Sequence, residues 1–275
     1  MKPAAFAYRR AATVDEAIAA LQEAAGEAKL IAGGQSLGPM LNLRLARPAR
    51  LIDIGTIESL GRIEVGDHSV RVGAGVTHAR IEDEAGAIEG LAPLAHVARG
   101  IAYRAIRNRG TVGGSLAHAD PAADWPLVLA TLGAAIEIRG AGRVRRVDAA
   151  AFMLGPYATS LAYGEILAAV EIPKMHSCAR WAYRKFCRKP GEFAEAAAAA
   201  LFDPDRRIAR VLLGAPAARP TPLPALARDL ARGGRSALDT ERLAEEIEPL
   251  VADAPPHRRQ AALTILRKTL EEVLQ

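Results

Sequence analysis

Apolar residues recur in short bursts along this chain, and the spacing inside each burst assigns it to a helix or a strand. Val14, Ala17, Ile18 and Leu21 share one face at helical spacing. Thr13 precedes them and Glu16 follows it by three residues, a capping-box pattern that predicts a helix start, with Gly26 as the stop. Residues 29–32 form an apolar run halted at Gly33-Gly34, which predicts a strand entering a tight turn. Residues 51–54 repeat that arrangement before Gly55. From Gly61 to Gly73 apolar and polar positions alternate on both sides of Gly66-Asp67, a hairpin signal. Helices are predicted from Thr77 and over 91–99, and a buried helix over 125–132. A second hairpin pairs 135–138 with 143–147, and a strand over 165–172 closes at Pro173.

The pattern changes after Pro173. Residues 174–178 read as a linker, followed by strand candidates at 181–188, 194–202 and 208–213. Asp203-Pro204-Asp205-Arg206 separates the last two as a turn. Helical spacing then fills 222–232, 240–251 and 257–274. Strands followed by helices predict a separate small α+β module.

Composition narrows the classes. Half of the 275 residues are apolar, enough for a real core and too many for a disordered chain. The two cysteines, Cys178 and Cys187, exclude a disulfide scaffold and a cysteine-held cluster on this chain. The longest nearly apolar stretch, 127–138, is too short to span a bilayer. No signal-like apolar segment precedes Arg9-Arg10, so the expectation is a cytoplasmic protein. A net charge of +5 permits nucleic-acid binding, but the basic residues lie in small scattered groups and aromatic residues make up only 4%. Stacking platforms are therefore scarce, and the basic groups read as solvated surface.

Candidate chemistry lies in two glycine pairs, each trailed by a serine: Ala32-Gly33-Gly34-Gln35-Ser36 and Thr111-Val112-Gly113-Gly114-Ser115. Glycine lets backbone approach a ligand closely, and successive amides make a nest for phosphate oxygens without a lysine. Two such nests suit a diphosphate held between them. A P-loop motif is absent. Gly73-Ala74-Gly75 imitates a dinucleotide fingerprint, but His78 replaces the third glycine and the preceding strand belongs to a hairpin. His118, Asp120 and Asp124 follow the second pair. Asp124 suits both a ligand hydroxyl and the start of the 125–132 helix, and Asp120 before Pro121 reads as a turn residue. No catalytic set and no short metal-binding spacing emerge from the six dispersed histidines. A nucleotide site without acid–base machinery points to chemistry supplied by a cofactor.

With these residues in view, the chain resembles the FAD-binding medium subunits of molybdenum hydroxylases, close to the carbon monoxide dehydrogenase branch and to the FAD domain of xanthine dehydrogenase. The specific matches are the segments 32–37 and 111–124, supported by 164–173 and 183–194. The resemblance implies an α+β fold: an FAD-binding domain of the vanillyl-alcohol-oxidase (PCMH) type over 1–175, in subdomains of about 1–57 and 58–175. A module of three antiparallel strands and three helices is implied over 176–275. It places diphosphate contacts on Ala32, Gly33, Gly34, Gln35 and Ser36, flanked by Lys29, Leu30, Ile31 and Leu37, and on Thr111, Val112, Gly113, Gly114 and Ser115. His118, Ala123 and Asp124 fall at FAD-lining positions, Leu167 and Ile101 beside the cofactor, and Lys185, or its neighbour Arg184, near the flavin ring. The family often has Thr-Gly-Asp where this chain has Pro190-Gly191-Glu192.

The implied function is electron transfer. FAD, bound non-covalently, takes electrons from the [2Fe-2S] clusters of a small partner subunit. A large molybdenum subunit oxidises the substrate, in a dimer of heterotrimers, and a quinone, NAD or oxygen is the external acceptor. The alternative is a stand-alone flavin oxidoreductase of the same fold.

Overall fold

The structure, a computed structural model, describes residues 2–232 and 238–275. Its first unit comprises β1 (Ala7–Arg10), α1 (Val14–Glu23), β2 (Ala28–Ile31), α2 (Leu37–Asn42) and β3 (Arg50–Asp53). The strands are parallel in the order β1-β3-β2, with Leu51 opposite both Tyr8 and Lys29. Parallel neighbours need crossovers, and α1 and α2 supply them. The cap forms as expected: Thr13 Oγ1 accepts from Glu16 N at 3.1 Å, while Glu16 reaches back to Ala12 N at 2.8 Å. α1 stops at Glu23, and Ala25 and Gly26 turn the chain with φ of 47° and 96°. Its apolar face packs on Ile52, Ile54, Ile166 and Ala168.

The second unit runs through β4 (Ile63–Val65), β5 (Ser69–Gly73), α3 (His78–Glu84), α4 (Ala92–Arg99), α5 (Arg104–Arg107), α6 (Val112–His118) and α7 (Asp124–Leu132). It continues with β6 (Ala135–Gly140), β7 (Arg143–Asp148), α8 (Ala149–Phe152), β8 (Met153–Gly155), β9 (Ala158–Thr159) and β10 (Ile166–Pro173). Both expected hairpins form, and the long strand β10 enters between them to give an antiparallel sheet ordered β4-β5-β10-β6-β7. A register irregularity between Leu167 and Ala169 changes which residues of β10 face each side. Ile166 and Ala168 join the core under α1, whereas Leu167, Val170 and Ile172 join the main core with α4 and α7.

The third unit holds β11 (Arg180–Phe186), β12 (Ala196–Asp203), β13 (Ile208–Leu213), β14 (Thr221–Pro222), α9 (Pro224–Ala231), α10 (Thr240–Val251) and α11 (Pro256–Val273). The expected three-stranded sheet gains the short strand β14 at its edge. In β12, Ala196, Ala198 and Ala200 face the three helices, and Ala197, Ala199 and Leu201 face the main core beside α7. Alanine favours helix in isolation. Here burial on both faces decides for strand, because small side chains let α7 and α11 approach the sheet closely. Among the described residues, no helix is long and apolar enough to cross a membrane.

Candidate functional site

The first glycine pair follows β2 directly. Gly34 has φ of +71°, which turns the chain sharply before α2. Gln35 folds back so that its Nε2 donates to the Gly33 carbonyl at 3.0 Å. Among the described residues, the backbone N–H groups of Gly33, Gly34, Gln35 and Ser36 have no acceptor, and the Ser36 hydroxyl makes no cap bond. Four successive donors in a half-buried loop form a cradle suited to anionic oxygens.

This loop lies directly against Arg109-Gly110, the two residues that lead into the second motif. A methyl group on Gly33 would overlap the Arg109 carbonyl oxygen and sit 3.0 Å from Gly110 Cα. The absent side chain at Gly33 is therefore what lets the two loops touch.

The second motif corrects the sequence reading. Thr111 caps α6 and Val112–Ser115 begin it, and the amides of those four residues are taken up within the protein. Val112 N donates to Val76 O at 3.0 Å, Gly113 N to Ala74 O at 2.9 Å, and Ser115 N to Thr111 O at 3.0 Å. Thr111 caps the helix, its Oγ1 accepting from Gly114 N at 3.0 Å. Gly113 is required because a Cβ there would stand 2.7 Å from Ala74 O. The second pair thus holds the wall of the site in place, and the open backbone donors come from the first. Gly73 and Gly75 also have a packing reason. A side chain at Gly73 would overlap Leu60 O, and one at Gly75 would approach it to 3.1 Å.

A histidine locks this wall. His78 N donates to Gly110 O at 2.9 Å, and Trp125 Nε1 donates to His78 Nδ1 at 3.0 Å. The imidazole is therefore neutral with its proton on Nε2, and burial lowers its pKa to about 4, helped by the charge of Arg107. The sequence reading used His78 only to dismiss a dinucleotide fingerprint; its lock depends on Trp125, far along the chain.

Asp124 is the centre of a second cluster. It is only 6% exposed and stands at the first position of α7, while Ala123 occupies the cap position with no side-chain bond. The expected capping role is not observed. Instead Asp124 Oδ1 accepts from Tyr183 OH at 2.6 Å and from Lys185 Nζ at 2.8 Å. Lys185 also donates to Gly100 O at 3.0 Å, beside the half-buried Ile101. Burial and the neighbouring carboxylate push the Tyr183 phenol well above its ordinary pKa, so it stays a donor. Asp120 behaves as the expected turn residue, its Oδ1 accepting from Ala122 N at 2.9 Å.

The other proposed contacts are spread around these clusters. Lys29, Leu30 and Ile31 lie on β2, with Lys29 exposed and the other two half-buried; Ala32 and Leu37 flank the loop. His118 ends α6 with its ring 5.3 Å from that of Tyr157. Leu167 is buried in the main core at the β10 irregularity. The structure brings the first loop against Arg109-Gly110, just before the second motif, and joins Asp124 to Lys185. Among the described residues, no hydrogen bond links the first loop to Asp124, Lys185 or Leu167. Tyr183 and the Gly100 carbonyl were not foreseen. Tyr183 reads as one more strand aromatic until β11 pairs with β12 and turns it onto α7.

Two mixed subdomains meeting at a glycine loop, followed by a small antiparallel sheet backed by helices, define an FAD-binding fold of the vanillyl-alcohol-oxidase (PCMH) type. The family described as the FAD binding domain in molybdopterin dehydrogenase matches residues 4–175. The chain belongs to this family, and it is an oxidoreductase flavoprotein subunit of the medium-subunit type.

It is 42% identical to the nicotine 6-hydroxylase medium subunit of Paenarthrobacter nicotinovorans, over 77% of this chain and 74% of that one. It is 34% identical to the carbon monoxide dehydrogenase medium chain of Hydrogenophaga pseudoflava, over 92% and 87%. Among solved structures, quinoline 2-oxidoreductase from Pseudomonas putida 86 superposes with a TM-score of 0.88 at 34% identity, covering 100% of this chain and 99% of that one.

Proposed function

We propose that this chain is the FAD-carrying electron-transfer subunit of a molybdenum-containing dehydrogenase. It receives electrons from [2Fe-2S] clusters on a small partner subunit and passes them to an external acceptor, while a large molybdenum subunit oxidises the organic substrate. The observation that carries this reading is the loop Gly33–Ser36, whose amides are unpaired among the described residues and whose Gly33 packs on Arg109-Gly110, at the entry to the braced second motif. The names of the relatives, medium subunits and medium chains of dehydrogenases and hydroxylases, support the division of labour. A dimer of heterotrimers in the cytoplasm is the assembly the reading implies.

Bound FAD would supply the redox chemistry, accepting electrons from one side and releasing them on the other. The chain's own residues bind and orient. The amides of the first loop donate to diphosphate oxygens, and Ala32, Leu37 and the β2 residues Lys29, Leu30 and Ile31 frame them. Thr111, Val112, Gly113, Gly114 and Ser115 form the facing wall. Asp124, fixed by Tyr183 and Lys185, presents its remaining carboxylate oxygen to a hydroxyl, with His118 and Ala123 alongside. Lys185 holds positive charge near the ring, and Leu167 and Ile101 exclude water from it. Retention is non-covalent.

Purification with native partners tests this. The expected result is a flavin spectrum, a co-purifying iron–sulfur subunit and a large molybdenum subunit, and FAD released into the supernatant on acid precipitation. The organic substrate should bleach the flavin of the complex and leave the isolated flavin-loaded chain unbleached. A folded chain that takes up no FAD, or an isolated chain bleached by its own substrate, would refute the reading.

A further inference from the structure

Away from the glycine loops, two segments bring three kinds of metal-ligating atom together. His176 and Cys178 lie in the connection between β10 and β11, and Asp203 and Asp205 lie at the β12–β13 turn. His176 Nδ1 is 3.0 Å from Cys178 Sγ, and Cys178 Sγ is 3.5 Å from Asp203 Oδ1. One donor atom from each of these three residues fits within a mutual span of 4.8 Å. Asp205 Oδ2 approaches the same imidazole nitrogen to 3.8 Å.

The Cys178–Asp203 separation matches what a tetrahedral zinc ion demands. With Zn–S near 2.3 Å and Zn–N or Zn–O near 2.0–2.1 Å, ideal angles put sulfur about 3.6 Å from each nitrogen or oxygen donor, and nitrogen about 3.4 Å from oxygen. The sulfur–nitrogen pair must open by about half an ångström, and Asp205, whose carboxylate lies outside the shared 4.8 Å span, must swing in. His176 and Asp205 have 38% and 65% of their side chains exposed, so both can make these movements. The opposite wall is firm. Asp203 is only 5% exposed, with its Oδ1 fixed by Arg206 N at 3.1 Å.

We infer that His176, Cys178, Asp203 and Asp205 form a four-coordinate site for zinc or a similar thiophilic divalent cation. One thiolate, one imidazole and two carboxylates suit a borderline cation and disfavour magnesium and calcium, which prefer oxygen donors alone. Four protein ligands leave no open position, so the site is structural. It clips the linker that enters the third unit onto the turn between its central strands. On binding, zinc displaces the thiol proton to solvent, and the Cys178 S–H bond to Asp203 gives way to two bonds to the metal. The sequence conceals the site because its two halves, the i, i+2 pairs His176/Cys178 and Asp203/Asp205, lie on separate segments and neither pair alone marks a metal site.

The test uses the full flavin-loaded chain, stripped with a chelator, dialysed against about 1 µM free zinc and assayed for metal. One zinc per chain is expected, undiminished by a large excess of magnesium. Cys178→Ser and His176→Ala should each weaken retention at least about tenfold while FAD content is unchanged. The His176 variant alters a partly exposed side chain and keeps the test valid if loss of the thiol disturbs folding. Stripped protein that takes up less than half an equivalent would overturn the assignment. So would uptake that either substitution leaves intact, because the zinc would then sit elsewhere.

Discussion

Gly33 shows how a single hydrogen in place of a side chain builds a site. Its Cα faces the Arg109 carbonyl with no room for a methyl group, so the contact between the loops exists only with glycine there. Gly33→Ala should cost about 1–3 kcal/mol through forced separation of the loops and should lower the flavin-to-protein ratio sharply. Denaturant unfolding and the visible spectrum measure the two effects. At Gly114 an added Cβ would meet the Thr111 hydroxyl at 2.8 Å, a side-chain atom that can rotate. Gly114→Ala should therefore be milder on both counts, and equal losses at the two positions would contradict the assigned geometry.

His78 makes a residue-scale prediction about pH. Its folded pKa is about 4, against an ordinary value of 6.5. Above that ordinary value both states are neutral, and the histidine adds no pH dependence. As pH falls from 6.5 towards 4 the unfolded chain takes up a proton that the folded chain refuses, so stability drops, by at most about 3 kcal/mol from this group. Below about pH 4 this contribution is flat. His78→Gln keeps an acceptor for Trp125 and cannot titrate, so the difference between wild-type and variant stability should narrow across this window. Parallel pH profiles would mean that the imidazole is not held neutral.

At the scale of elements, the Asp124 cluster ties β11 to the start of α7. Asp124 and Lys185 have 7% and 11% of their side chains exposed, so each depends on the other for a partner. Lys185→Met leaves a buried carboxylate with only Tyr183 beside it and should cost about 3–5 kcal/mol. Adding Asp124→Asn should recover part of that loss, because the uncompensated charge is gone. Full additivity of the two substitutions in denaturant unfolding would show that the pair is not coupled. Asp124→Ala strands a buried ammonium and phenol, a larger effect than losing one bond to a neutral hydroxyl.

Element identity itself was largely legible. The capping box of α1, both hairpins, the buried α7 and the three C-terminal helices follow from periods and caps set within a few residues. Missed elements have a common cause. β1 is exposed along its whole length and has no apolar alternation, so only pairing with β3 makes it a strand. The second glycine pair reads as an open nest, because glycine is unfavourable in helices. It starts α6 because Thr111 caps the amide of Gly114 and Ala74 leaves no space for a side chain at Gly113.

On the scale of the whole molecule, α7 is the joint. All nine of its residues are buried, between the five-stranded sheet on one side and β12 and β13 on the other. The segment matched by the family ends before β11, so a chain cut at residue 175 would bare one side of α7 and of the main core. That fragment should aggregate or bind a hydrophobic dye and should hold FAD poorly, since Lys185 leaves with the removed part. A monomeric, dye-negative fragment would show that the third unit is dispensable to the core.

What the chain determined by itself was local: which runs are helix or strand, where they are capped, and that a glycine loop follows β2. Those features depend on neighbours a few residues apart. The tertiary structure decided the rest: that Gly33 meets Arg109, that Asp124 is held by Tyr183 and Lys185, and that β10 divides its side chains between two cores. Each is a contact between distant segments, and its geometry follows from how layers pack and how strands register, which no local pattern encodes.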